Sequence, residues 1–207
     1  IMIGILYATH QEADSYLVFS GAEKVASEPF ALFRLKTPPV MVAVSGMGKV
    51  SAALATQMLI REQNCDRILN AGVCGALADR VGLEPGKILR ISTVSEGPPG
   101  PGIPSEGIGC AGDLWQDLPT AHLVTVEQTV FNQTDRQRLA SWGDLVDMER
   151  AVVARVAHLY SIPWDMIKGI TDTAGDGERT ALYRNIETVS EAVAEQLNNG
   201  ILSHVTS

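Results

Sequence analysis

The chain is short of cysteine, aromatics, positive charge and long apolar runs, and each shortage excludes something. Cys65, Cys74 and Cys110 are odd in number and lack CxxC spacing. That argues against a disulfide framework or a zinc site and suits a reducing, cytoplasmic compartment. His10, His122, His158 and His204 show no ligand spacing among themselves, so neither a metal nor a cofactor is expected. Lysine and arginine number 16 against 24 aspartates and glutamates, a net charge of −8. Without a basic block no nucleic-acid partner is expected, because phosphate neutralisation supplies most non-specific affinity. No apolar run approaches the ~18 residues of a membrane-spanning helix, so no membrane partner is expected either. The opening Ile1-Met2-Ile3-Gly4-Ile5-Leu6 has no basic residues before it and no small-residue cleavage site after it, and reads as a first buried strand.

What is present describes a globular chain: 207 residues, 45% hydrophobic and 19% charged. A chain of that size buries roughly 70–75% of its unfolded surface and folds without staples. One domain over residues 1–207 is expected. Strand-like runs fall at 2–8, 30–36, 40–44, 67–71, 87–94, 122–126 and 164–170, and helical spacing at 49–62, 133–142, 148–160 and 178–197. Strands alternating with helices predict an α/β fold with a largely parallel sheet. From Glu96 to Pro119 the pattern gives way to Gly, Pro and Ser, including Pro98, Pro99, Pro101 and Pro104; this predicts a long functional loop.

In open α/β sheets ligands sit beyond the carboxyl ends of the strands. The polar residues expected there are Glu12, Ser45-Gly46-Met47-Gly48, Asn70 to Gly75, Asp147-Met148-Glu149 and Thr171-Asp172. Gly46-Met47-Gly48-Lys49 is no Walker A loop, since Ala43 and Val50 stand where Gly and Ser or Thr are needed. Nor is it a dinucleotide fingerprint, with Ser51 at the third glycine position. Each acid also has a plain structural reading. Asp147 and Glu149 could serve free N–H groups of the helix that follows, Asp172 could cap a turn, and Glu12 could be a surface residue of the first helix.

Taken together and in order, Ile3-Gly4-Ile5 through Glu12, Ser45-Gly46-Met47-Gly48-Lys49-Val50, Asn70-Ala71-Gly72-Val73-Cys74-Gly75, Val146-Asp147-Met148-Glu149 and Ile170-Thr171-Asp172 resemble the purine nucleoside phosphorylase and nucleosidase superfamily. Within it the chain resembles the methylthioadenosine/S-adenosylhomocysteine nucleosidases. Ala8-Thr9-His10-Gln11-Glu12-Ala13-Asp14 also looks like the futalosine hydrolases, and Val-Asp-Met-Glu is similar to hopanoid-associated phosphorylases.

The resemblance implies a three-layer αβα fold around a central mixed, largely parallel sheet, and cleavage of the N-glycosidic bond of a purine ribonucleoside. By position, Asp172 would protonate purine N7, oriented by Thr171, and Glu12 would activate water. Glu149 would grip the ribose hydroxyls and Met148 would lie under the sugar. Ser45, Gly46 and Gly72 would line the ribose site, and the base would stack near Val130 and Phe131. A small-molecule purine nucleoside is the implied partner, adenine a candidate released base, and a homodimer the family's default assembly. Three departures stand out: Val126-Glu127-Gln128 replaces the family's Ser-Gly-Asp, Lys168 replaces an arginine, and the chain is short through its middle. A phosphorylase, or a non-catalytic nucleoside-binding relative, is the alternative. With no Arg in residues 1–33 and Glu12 beyond the first strand, hydrolysis is preferred.

Overall fold

The computed structural model describes residues 1–98, 100–101 and 106–206. Pro99 and Pro104 of the expected loop lie outside these residues. Among the described residues, ten strands form one mixed sheet, in the order β10 (Trp164–Asp172), β6 (Ile88–Glu96), β8 (Thr120–Thr125), β9 (Leu145–Asp147), β5 (Arg67–Ala76), β1 (Ile3–Tyr7), β4 (Val40–Val44), β3 (Ala31–Leu35), β2 (Glu23–Ala26). The short β7 (Ile108–Gly109) is antiparallel to β6. Strands β4, β1, β5 and β10 run parallel at the centre, while β2, β3 and β4 form an antiparallel margin. Because β5 pairs with both β10 and β9, strands β10, β6, β8, β9 and β5 close into a ring.

Helices cover both faces, and side-chain alternation explains how. Ile3, Ile5 and Tyr7 of β1 meet Ala13, Tyr16 and Leu17 of α1 (His10–Ser20) and Val189, Val193 and Leu197 of α5 (Arg179–Thr206). Leu6 points to the other side, into a cluster with Ala52, Ala55 and Leu59 of α2 (Lys49–Arg61) and Ala151, Ala154 and Ala157 of α4 (Arg150–Leu159). The alanines let these two helices lie close to the sheet and to each other. A smaller helix, α3 (Gln133–Leu139), starts at Asn132, whose side chain accepts the Asp135 amide at 2.8 Å.

Several boundaries differ from those the sequence suggests. Strand β5 runs on to Ala76 instead of stopping at Ala71, because Gly72 keeps it extended through a φ of +151° that other residues resist. Helix α3 stops at Leu139 and α5 continues to Thr206. The edge strand β2 is exposed and carries no apolar pattern to reveal it. The expected 96–119 loop is partly ordered by β7 and by Leu114 and Trp115. Asp165 accepts the Leu114 amide at 3.1 Å, and the Trp115 indole donates to the Gln196 carbonyl at 2.9 Å.

Candidate active site

A cavity of about 160 Å³ opens at the carboxyl ends of the central parallel strands. Glu12, Val130, Phe131, Met148, Glu149, Thr171 and Asp172 all line it, brought together from distant parts of the chain. The three acids are nearly sequestered from solvent: Glu12 is 5%, Glu149 5% and Asp172 3% exposed.

Glu12 is placed by the start of α1. Thr9 caps the helix by accepting the Glu12 amide at 3.2 Å, and Glu12 Oε2 accepts the Thr9 amide at 3.0 Å in return. Its other oxygen accepts the Val73 amide at 2.9 Å. The surface reading of Glu12 therefore does not hold: the capping box folds the side chain back over β5. At the start of α4 the plain reading fits Asp147 and not Glu149. Asp147 Oδ1 accepts the Thr125 hydroxyl at 2.7 Å and lies 3.4 Å from the Glu149 and Arg150 amides. Glu149 makes no capping bond to its helix and instead accepts the Gly48 amide at 2.9 Å. Gly48 can aim that amide because its φ is +98°.

Asp172 is set by an irregularity. In the pairing of β10 with β5, Ile170 faces Cys74 and Asp172 faces Gly75, so Thr171 is an extra residue. The bulge breaks the alternation and lets Thr171 and Asp172 line the same cavity. Thr171 Oγ1 lies 2.8 Å from Asp172 Oδ2 and 3.2 Å from the Cys74 carbonyl, and the Ala174 amide donates to Asp172 Oδ1 at 2.8 Å. The turn-capping reading of Asp172 is thus realised alongside its place in the cavity. From α5, Asn185 donates to the Thr171 carbonyl at 2.7 Å and steadies the strand end. Burial pushes the Asp172 carboxyl above its ordinary range and nearby Glu178 adds to this; the Thr171 and Ala174 hydrogen bonds only partly oppose it. Burial also raises Glu149, with Arg150 pulling the other way.

Ser45, Gly46 and Gly72 do not line the cavity. The Ser45 hydroxyl turns inward to the Tyr7 and Gly46 carbonyls at 3.2 and 2.8 Å, and Met47 lines the cavity in place of Gly46. Gly72 lies behind Glu12, where a Cβ would collide with Glu12 Oε1 and Arg150 Nη2. Cys74 does line the cavity, but burial raises its thiol far above the range of a nucleophile.

Three features escaped the sequence reading. Leu182 and Ile186 of α5 wall the cavity, a signal present only as an ordinary i, i+4 apolar pair. Thr129 joins Val130 and Phe131 there, and Arg179 stacks its guanidinium 5.3 Å from the Phe131 ring centre. Arg150, 1% exposed, lies among Glu12, Asp147 and Glu149, and the sequence offered no sign of it beyond a charge in the first turn of a helix. Among the described residues no cluster of three or more His, Cys, Asp or Glu is placed to hold a metal, and no helix is long and apolar enough to cross a membrane.

A layered α/β chain with buried acids around one cavity at the strand ends defines a class of small-molecule sites at a sheet edge. Its family follows from comparison: the phosphorylase superfamily matches residues 1–106 and 108–205, and the chain belongs to it. The 5′-methylthioadenosine/S-adenosylhomocysteine nucleosidase of Shewanella piezotolerans is 28% identical, over 84% of this chain and 87% of that one. Among solved structures, a futalosine hydrolase mutant of Helicobacter pylori superposes with a TM-score of 0.88 at 21% identity, covering 98% of this chain and 99% of that one. The 5′-methylthioadenosine/S-adenosylhomocysteine nucleosidase of the same organism, bound to butyl-thio-DADMe-Immucillin-A, gives a TM-score of 0.88 at 22% identity, covering 98% of each chain. These likenesses establish the αβα nucleoside phosphorylase fold.

Proposed function

We propose that this chain hydrolyses the N-glycosidic bond of a purine ribonucleoside of the methylthioadenosine, S-adenosylhomocysteine or futalosine type. The observation that carries the reading is the convergence of Glu12, Glu149 and Asp172 on one cavity from three separate elements. Breaking the bond between purine N9 and ribose C1′ builds positive charge on the sugar and negative charge on the base. Asp172, its carboxyl pushed upward by burial, must carry its proton when substrate is bound, and donates it to N7 so that the base leaves neutral. The Thr171 hydroxyl suits both states: it donates to the ionised carboxylate, or turns to the Cys74 carbonyl and accepts from the acid.

Glu149 keeps lone pairs free for the ribose 2′- and 3′-hydroxyls beyond its bond to Gly48. Glu12 orients and deprotonates water at C1′. Val130, Phe131, Leu182 and Ile186 offer apolar contact to the base. Water is favoured over phosphate because no Arg or Lys is among the residues lining the cavity, and Glu12 would repel an anion.

The finer parts of the reading are adenine as the released base, a homodimer and a cytoplasmic location. Met47, which lines the cavity, and Val50 and Leu54, four residues apart on α2, are exposed apolar side chains that a second copy would cover, and the three free cysteines suit a reducing compartment. The test is free-base release from purine ribosides varied at the 5′ position and in the base, with and without phosphate. Release without phosphate is expected. Strict phosphate dependence would reverse the choice of nucleophile, and no release from any riboside would remove the reading.

A further inference from the structure

We infer that Arg150 is a positioning residue that clamps the Glu12 and Glu149 carboxylates from behind the cavity wall and fixes the spacing between the water-holding and ribose-holding groups. The inference rests on the proposed hydrolysis for its catalytic consequence, but its geometry stands alone. Arg150 Nη2 lies 3.5 Å from Glu12 Oε1, Nη1 3.8 Å from Glu149 Oε2 and Nε 3.3 Å from Asp147 Oδ2. No other cation among the described residues is paired with both Glu12 and Glu149. Lys168 Nζ reaches Asp147 Oδ2 and the Val73 carbonyl, each at 3.3 Å.

The fold makes room for the guanidinium. Gly72, on the strand facing it, has no Cβ where one would strike both Arg150 Nη2 and Glu12 Oε1. The charged and titratable groups around Arg150 come from five elements and one junction: Tyr7 on β1, Glu12 on α1, Cys74 on β5, Asp147 on β9, Lys168 on β10, and Glu149 just before α4. Burial opposes the charge of Arg150, yet Glu149, Glu12 and Asp147 more than restore it. Reciprocally, Arg150 opposes the upward push of burial on Glu149. The planar fork offers Glu12 and Glu149 separate nitrogens on one rigid plane, whereas a lysine ammonium offers a single point charge on a flexible stem.

The test compares the parent chain, R150Q and R150K by carboxyl 13C NMR of Glu-labelled protein, with Glu149 assigned from E149Q, together with base-release kinetics over pH. In R150Q the Glu149 midpoint rises by at least about one unit, kcat falls roughly 100-fold, and the acid limb of kcat/KM moves upward with it. R150K keeps the midpoint near the parent's but loses about tenfold in kcat, since a single ammonium on a flexible stem does not fix the spacing of the two acids. An unmoved Glu149 midpoint in R150Q overturns the inference whether or not the parent cleaves a nucleoside. A parent that releases no base while the midpoint moves overturns the function and leaves the clamp standing. Should R150Q fail to fold, R150K decides: full parental kcat overturns the inference.

Discussion

The two ends of the cavity are built on opposite electrostatic plans. At the end proposed to hold the sugar, Glu12, Asp147 and Glu149 are interleaved with Arg150 and Lys168, and backbone amides of Gly48 and Val73 point at the carboxylates. At the end proposed to hold the base, Asp172 has no cation in contact among the described residues. Around Asp172 stand a hydroxyl, one amide and apolar Val130, Phe131, Leu182 and Ile186, with Thr129 beside them and the Arg179 guanidinium stacked on Phe131. Burial is common to both ends, so its consequences differ by what answers it. Cations oppose the upward shift of Glu149, while at Asp172 only the Thr171 and Ala174 hydrogen bonds do, and both carboxyls stand above their ordinary range. One fold thereby keeps a carboxyl without a contacting cation and an ion-paired one within one small cavity.

Removing the donor should break the contrast most completely. D172N is expected to lose roughly 10³–10⁴-fold in kcat, while nucleoside affinity, measured by calorimetry, stays within a few-fold. Equal turnover in variant and parent would eliminate Asp172 as the donor. Next in size, E149Q should cost roughly 100-fold on ribosides and much less on 2′-deoxyribosides, which lack part of the grip; steady-state kinetics on matched pairs gives the ratio.

The pH dependence sharpens the comparison. As the proposed donor Asp172 must carry its proton, so kcat should fall as pH rises through its raised pKa. In T171V, loss of the hydroxyl that stabilises the carboxylate should move that alkaline limb upward, with about a tenfold fall in kcat from poorer orientation. An unmoved limb would assign it to another group.

The smallest expected effect is on stability. A carboxyl whose folded pKa lies above its unfolded value, ~3.9, favours the fold below that value and ceases to do so as pH rises through the folded pKa. Asn resembles the protonated acid: its oxygen can accept the Ala174 amide and its amide can donate to Thr171. D172N should therefore melt a few degrees above the parent at pH 8, with the gap closing toward pH 4. A scanning-calorimetry series that shows no closing gap would contradict the buried, neutral acid.

Legibility in the sequence divides along the same physical lines. Strands β1 and β4 and helix α2 were readable because continuous apolar runs and alanine-rich helical spacing are local signals. The three acids were readable through their place after strands and through family resemblance. What was hidden depends on non-local geometry. The bulge at Thr171 is set by pairing with β5, and the ring closure of β5 with β10 and β9 leaves no local trace. Ser45 satisfies buried carbonyls, a role its sequence neighbours do not reveal. Arg150 reads as a helix-surface charge until the fold places it beneath three carboxylates.

The central claim, that these acids serve one bound nucleoside, is tested most directly by a crystal structure of D172N with the purine riboside the parent cleaves fastest. N7 is expected within about 3.2 Å of the residue 172 side chain, the ribose hydroxyls on Glu149, and a water between Glu12 and C1′. A ligand seated away from these three side chains, or turned so that the base meets Glu149 and the sugar meets residue 172, would contradict it.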